Sequence, residues 1–163
     1  MKQGNKIVDR IFSNEQLKPQ LHRWNLLSKT IAFTNGVFDI LHEGHIKVLT
    51  EAASFADILI VGVNSDASVK RLKGNDRPVN NQDSRALLIA SLLMVDAVII
   101  FEEDTPLNLI NTAMPHVLVK GGDYNIDTIV GAKEVIENKG IVKVIPLEEG
   151  FSTTAIIEKL KKI

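Results

Sequence analysis

Short runs of apolar, largely β-branched residues alternate along the chain with stretches in which apolar residues recur every three or four positions. The runs are Ile31-Ala32-Phe33-Thr34, Ile58-Leu59-Ile60-Val61-Gly62-Val63, Ala97-Val98-Ile99-Ile100-Phe101, Val117-Leu118-Val119-Lys120 and Ile141-Val142-Lys143-Val144-Ile145. They are nearly continuous rather than alternating, which predicts strands covered on both faces, as in a parallel sheet. Helical spacing predicts a helix over residues 43–55, with Ile46, Leu49 and Ala53 on one face. A second is predicted over residues 82–94, carrying Leu88, Leu92 and Val95. Shorter helices are expected over 105–113 and 127–138, and a last one from Ser152 to about Lys161, with Ser152 as its cap. A polar helix over residues 6–28, interrupted or restarted near Pro19, precedes the first strand. The alternation predicts an α/β fold: a doubly wound, five-stranded parallel sheet over residues 29–163, with an N-terminal helical extension over residues 1–28.

Composition narrows the function classes. The 163 residues, 45% hydrophobic and 24% charged, suit one globular domain with a proper core. No apolar run is long enough to cross a bilayer, and Met1-Lys2-Gln3-Gly4-Asn5-Lys6 lacks the apolar stretch of a secretory signal, so a cytoplasmic protein without membrane contact is expected. With no cysteine, disulfides and thiolate metal sites are excluded. A net charge of -1 creates no general field for a polyanion, so nucleic acid is not an expected partner. Local basic clusters can still take a small phosphate ligand.

In doubly wound sheets, ligands bind beyond the carboxyl ends of the strands. The first predicted strand leads into Asn35-Gly36-Val37-Phe38-Asp39-Ile40-Leu41-His42-Glu43-Gly44-His45. Gly36 permits a close turn, His42 and His45 fall at the start of a helix, and Gly44 leaves the surface between them bare. Two imidazoles, free first-turn amides and the helix dipole make a phosphate site. A chance histidine pair or a metal pair is the plainer reading of His-x-x-His alone; the strand before it and the helix after it favour phosphate.

The second strand opens into residues 64–78, a polar loop with the cations Lys70, Arg71, Lys73 and Arg77. It reads equally as a solvated surface loop or as a phosphate grip, lysine acting as a point charge and arginine as a fork. The fourth strand ends in Lys120-Gly121-Gly122-Asp123-Tyr124, either a tight turn with a capping Asp or a close backbone approach to a ligand. After the fifth strand, Gly150-Phe151-Ser152-Thr153-Thr154 offers hydroxyls and amides that cap a helix or hold phosphates. There is no P-loop, no Gly-x-Gly-x-x-Gly after a strand and no serine nucleophile elbow. Met94 and Trp24 read as packing residues.

Residues 34–45 resemble the opening motif of the cytidylyltransferase-like nucleotidyltransferases, and Gly150-Phe151-Ser152-Thr153-Thr154 resembles their Ile-Ser-Thr-Thr segment. Val63-Asn64-Ser65-Asp66, Arg71-Leu72-Lys73-Gly74, Arg77-Pro78-Val79-Asn80, Phe101-Glu102-Glu103-Asp104-Thr105-Pro106 and Val119-Lys120-Gly121-Gly122-Asp123-Tyr124 are similar to one branch of them, the D-glycero-D-manno-heptose 1-phosphate adenylyltransferases. These occur alone or as the C-terminal half of a bifunctional heptose kinase/adenylyltransferase. The resemblance spans roughly Lys29 to the C-terminus and implies the Rossmann-like nucleotidyltransferase fold of the HxGH type.

It also implies transfer of AMP from ATP to the sugar phosphate, giving ADP-heptose, a lipopolysaccharide-core precursor, and pyrophosphate. By the resemblance, His42, His45 and Lys73 are catalytic. Asn35, Gly36, Val37, Phe38, Asp39, Gly44, Lys120, Gly121, Asp123, Phe151, Ser152 and Thr153 surround the nucleotide, with Lys120 and Asp123 facing either it or the sugar phosphate. Lys70, Arg77 and Arg85 contact the sugar phosphate or phosphates. Mg²⁺ comes with ATP and bridges phosphates without a protein cage. A homodimer and a separate heptose kinase are the implied partners. The sequence departs from the pattern in two places. The Arg that often precedes the second motif in CTP-specific relatives is absent from Pro146-Leu147-Glu148-Glu149, and Phe151 replaces Ile. The alternatives are a cytidylyltransferase acting on glycerol 3-phosphate, an enzyme adenylylating FMN with ATP, and a nucleotide-binding sensor without catalysis.

Overall fold

The computed structural model describes residues 6–146. The predicted Ser152 helix and the 150–154 segment, with Phe151, Ser152 and Thr153, lie outside them. The strands are β1 (Ile11–Phe12), β2 (Ile31–Gly36), β3 (Ile58–Asn64), β4 (Ala97–Phe101), β5 (Val117–Gly121) and β6 (Ile141–Ile145). The helices are α1 (Asn14–Leu26), α2 (Glu43–Ser54), α3 (Asp66–Lys73), α4 (Gln82–Ala90), α5 (Leu107–Ala113) and α6 (Ala132–Glu137). All pairings are parallel, in the order β1-β4-β3-β2-β5-β6. The doubly wound α/β architecture is as expected.

The sheet has six strands rather than five. The N-terminal segment expected as a helical extension supplies the sixth: Ile11 and Phe12 pair with Val98 and Ile99 at the β4 edge. Two residues are too few to show a periodicity. Arg10 fastens this segment, its Nη1 donating to the carbonyls of Val95 at 2.9 Å and Leu92 at 3.3 Å beyond α4. Only then does α1 begin, with Ser13 and Gln16 forming a capping box. Pro19 lies inside this helix without ending it. The carbonyl its missing N–H leaves open belongs to Glu15, on the exposed side.

Two cores cover the faces of the sheet. On one, Val48, Leu49 and Ala52 of α2 and Ala86, Ile89 and Ala90 of α4 pack on Ala32, Val61, Val63, Val98, Val117 and Val119. On the other, Leu17 and Trp24 of α1, Leu109 and Ile110 of α5 and Val135 of α6 pack on Phe33, Ile60, Ile99 and Leu118. Trp24 is thus a packing residue. Near-continuous apolar strands follow from cover on both faces. The buried face of α4 is not the expected one: Leu88 is exposed, and the helix ends at Ala90. The expected 127–138 helix is a 3-10 turn, Ile126–Thr128, followed by α6, with Gly131 at φ 85° between them. A Cβ on Gly131 would fall 2.6 Å from Ile110 Cδ1.

The largest correction lies after β3. The segment expected as a loop forms α3, capped by Ser65 Oγ accepting from the Ser68 amide at 3.1 Å. Only Ser68 and Val69 of α3 are buried, so no apolar stripe announces it.

The winding locates the crevice. The chain steps outward from β2 through β3 to β4, then crosses back to place β5 on the other side of β2. β2 stays paired with β3 as far as Gly36↔Val63, and β5 with β6 as far as Gly121↔Ile145. Between β2 and β5 the register holds only at Ala32↔Val117 and Phe33↔Leu118. Beyond that point the two central strands part, and the switch point opens at their carboxyl ends.

Candidate active site

β2 delivers the chain to His42, the N-cap residue of α2. His45 follows one turn along the same face. Their rings stack, with centroids 3.8 Å apart and planes 24° from parallel. Phe38 meets the His45 ring edge-on at 5.3 Å. Phe38 itself has φ 50°, which folds its ring over Gly36, where a Cβ would come within 3.1 Å of it. A side chain at Gly36 would crowd the aromatic ring above it.

Burial, then the neighbouring His42 and the charge of Lys73, lower the His45 pKa to about 4. Burial also lowers that of His42. Both rings are predominantly neutral at pH 7, and a neutral imidazole offers one N–H donor and one acceptor. His45 Nδ1 is buried without a hydrogen-bond partner among the described residues. Lys73, whose charge acts on His45, lies in the last turn of α3. Lys70 lies one turn earlier on the same helix and is exposed.

Asp39 and the two arginines have other duties. Asp39 is buried and accepts from Arg77 Nε at 2.7 Å and from the amides of Val79 and Asn80 at 2.8 and 2.9 Å. Burial raises its pKa, but the Asn80 and Val79 amides and the Arg77 guanidinium outweigh that and hold it below the ordinary carboxylate range. Asp39 thus anchors the 77–80 turn. Arg77 keeps Nη2 buried with no hydrogen-bond partner among the described residues. Arg85 is fully buried. It donates from Nε to the Asn80 carbonyl at 2.9 Å, from Nη1 to the Val37 carbonyl at 2.6 Å and from Nη2 to Asp66 at 2.8 Å. Arg85 was expected to contact phosphate; its guanidinium instead ties together three segments below the site.

On the opposite face of the sheet, the parting of β2 and β5 opens a cavity of about 360 Å³. Asn35, Gly36, Val37, Asn64, Leu72 and Lys120 line part of it. Lys120 crosses the crevice, donating to Asn35 Oδ1 at 3.0 Å. Its pKa is lowered by burial, and none of the ion pairs among the described residues involves it. The glycines after it serve packing: a Cβ on Gly121 would stand 2.6 Å from Val48 Cγ2 on α2, and Gly122, at φ 134°, lies under the Tyr124 ring. Asp123 is exposed.

A family model described as cytidylyltransferase-like matches residues 33–159. The chain belongs to the cytidylyltransferase-like family. It is 54% identical over 143 residues to the bifunctional protein HldE of Nitrobacter winogradskyi, and 49% identical over 150 residues to that of Koribacter versatilis. These alignments take in 88% and 92% of this chain but 29% and 31% of the relatives, so the chain spans about a third of their length. Among solved structures, the lipopolysaccharide core biosynthesis protein of Thermoplasma volcanium matches with a TM-score of 0.59 at 29% identity, over 74% of this chain and 97% of that one. Pantoate-beta-alanine ligase from Francisella tularensis matches with a TM-score of 0.58 at 16% identity, over 94% of this chain and 78% of the ligase, a likeness of fold.

In this cytidylyltransferase-like domain, the structure gathers Phe38, His42, Gly44 and His45 at the start of α2. It sets Asn35, Gly36, Val37 and Lys120 along the rim of the crevice. Sequence reasoning missed Asn64, Leu72, Thr105 and Pro106 as cavity residues. Asn64, a polar residue at the carboxyl end of an apolar strand, was the visible signal.

Proposed function

We propose that this domain is a nucleotidyltransferase that moves AMP from ATP to D-glycero-D-manno-heptose 1-phosphate, giving ADP-heptose and pyrophosphate. The observation that carries the reading is the stacked, neutral His42–His45 pair at the start of α2, with Lys73 beside it, at the switch point of a parallel sheet. Neutral imidazole N–H groups, first-turn amides and an ammonium suit a polyanion whose charge shifts during reaction. The substrate is read from the sequence resemblance, and the similarity to the HldE proteins supports it.

An oxygen of the sugar phosphate forms a bond to the α-phosphorus while the bond from that phosphorus to the bridging oxygen of the β-phosphate breaks. The electron pair leaves with pyrophosphate. Such a transfer needs positioning and charge stabilisation more than covalent help. His42 and His45 hold the α-phosphate; Lys73, with Lys70 behind it, meets the leaving phosphates. Mg²⁺ would come with ATP and would supply charge neutralisation at the phosphates. A kinase must supply the sugar 1-phosphate, and the domain works as a homodimer in this reading. No helix among the described residues is long and apolar enough to cross a membrane.

The test is pyrophosphate release with ATP or CTP against heptose 1-phosphate, glycerol 3-phosphate and FMN. Release with ATP and heptose 1-phosphate alone is expected. Turnover of CTP with glycerol 3-phosphate, or ATP binding without turnover on any acceptor, would overturn the reading.

A further inference from the structure

Helix α3 is held unevenly along its length. Its first turn is fixed on several sides. The Ser65 amide donates to the Phe101 carbonyl at 2.8 Å, and the Asp66 amide donates to Gln82 Oε1 at 3.0 Å. The Asp66 carboxylate accepts from Arg85 Nη2, and Ser68 and Val69 are buried. The last turn lacks such cover: Lys70, Arg71, Leu72 and Lys73 are all exposed. The chain then leaves through Gly74, at φ 92°, where a Cβ would meet nothing within 4 Å. A helix of 8 residues is marginal by itself, so an uncovered end frays unless a contact outside the helix holds it.

Arg71 is that contact. Of the side chains of residues 70–73, it alone hydrogen-bonds to another element among the described residues. Its Nε donates to Asp104 Oδ1 at 2.7 Å and its Nη2 donates to the Glu102 carbonyl. Ser68, three positions earlier on the same face, donates from Oγ to the Glu103 carbonyl at 3.0 Å. α3 therefore grips residues 102, 103 and 104 in succession. That turn is a firm support, since the Glu103 carboxylate accepts from the Glu102 amide at 3.2 Å and from Asn108 Nδ2 of α5 at 3.1 Å. Arg71 and Asp104 are both about half exposed, so their pairing adds little to global stability. A guanidinium bonded through two nitrogens to two acceptors fixes a direction as well as a distance. What it directs is the end of the helix: Leu72, which lines the cavity beside Asp104 and Thr105, and Lys73, whose charge reaches His45.

We propose that Arg71 is a positioning residue: by clasping the last turn of α3 to residues 102–104, it sets where the Lys73 ammonium stands, without touching a ligand itself. Arg71 is thus neither a phosphate grip nor a solvated surface charge. Its effect passes through Lys73, so it rests on the nucleotidyltransferase reading for the use made of that lysine, but on no particular nucleotide or acceptor.

The experiment compares wild type with Arg71→Met, Arg71→Lys, Lys73→Met and two double variants, Arg71→Met with Lys73→Met and Arg71→Met with Asp104→Asn. Rates are taken with whichever nucleotide and phosphate ester the wild type turns over. Arg71→Met lowers kcat/KM for the nucleotide about tenfold, with a Tm within a few degrees of wild type. Arg71→Lys restores part of the loss, because a point charge cannot span both acceptors. In the Lys73→Met background the same Arg71 change costs less than about twofold, since no ammonium is left to place. An equal loss in both backgrounds overturns the proposal, as does a wild-type rate for Arg71→Met. Recovery on adding Asp104→Asn to Arg71→Met also overturns it, because Arg71 would then be masking a carboxylate rather than holding a helix. If the wild type turns nothing over, the nucleotidyltransferase reading falls and the clasp is judged by amide hydrogen exchange. Arg71→Met then speeds exchange at Lys73 and Gly74 by about tenfold or more and spares Ser68 and Val69. Unchanged exchange at Lys73 and Gly74, or an equal rise along the whole helix, overturns it.

Discussion

At the scale of single residues, the site depends on charge kept in unusual states. His45 stays neutral because burial and its neighbours His42 and Lys73 oppose its proton. Its folded pKa, about 4, lies below the ordinary 6.5, so as pH falls the unfolded chain takes up the proton first. The stability tied to this residue is intact above pH 6.5 and is lost as pH falls from 6.5 to 4. His45→Gln should therefore make the decline of Tm between those values shallower than in wild type, as scanning calorimetry at several pH values would show. The same variant should lower kcat by roughly 10²–10³ if its N–H steadies charge on the α-phosphate; a wild-type rate would remove His45 from the mechanism. The histidine pair was legible in the sequence because strand, glycine and helix start are all local. The true roles of Asp39 and Arg85 were not. The resemblance set Asp39 by the nucleotide and Arg85 by a phosphate, whereas each is held by partners up to 48 positions away.

At the scale of elements, legibility follows where apolar residues fall. Strands β2 to β5 were visible as apolar runs because helices cover both their faces, and β6, whose Ile141 and Lys143 are exposed, was visible by its β-branched residues. Helix α3 was not, since it buries only Ser68 and Val69 and turns its cations outward. Gly121 shows the same limit: read as room for a ligand, it gives α2 room against β5. A Cβ there would press on Val48 at 2.6 Å, three residues after His45. Gly121→Ala should push the start of α2 outward, costing about 1–3 kcal/mol of stability and, through misplacement of the dyad, on the order of tenfold in kcat. Val48→Ala in the same chain should restore much of both. A double-mutant cycle with no coupling would show that the glycine serves something other than this contact.

At the scale of the whole molecule, the sheet divides the labour. One face bears the histidines and the other the cavity lined by Lys120, and the parting of β2 and β5 joins them. The winding that creates this was predictable from the order of elements; the short edge strand β1 was not, because its pairing with β4 is spread over a long interval of sequence. Arg85, beneath the crevice, has a further consequence for how the molecule breathes. The Val37 carbonyl, the 77–80 turn and the first turn of α3 all close on one guanidinium, so none can open alone without stranding a buried charge. Amide hydrogen exchange should report these three segments opening together, at one rate and one free energy, under native conditions. In Arg85→Met their protection should separate into independent values, with the turn exchanging first. Three segments that already exchange independently in the wild type would show that the arginine fills space without binding them into one unit.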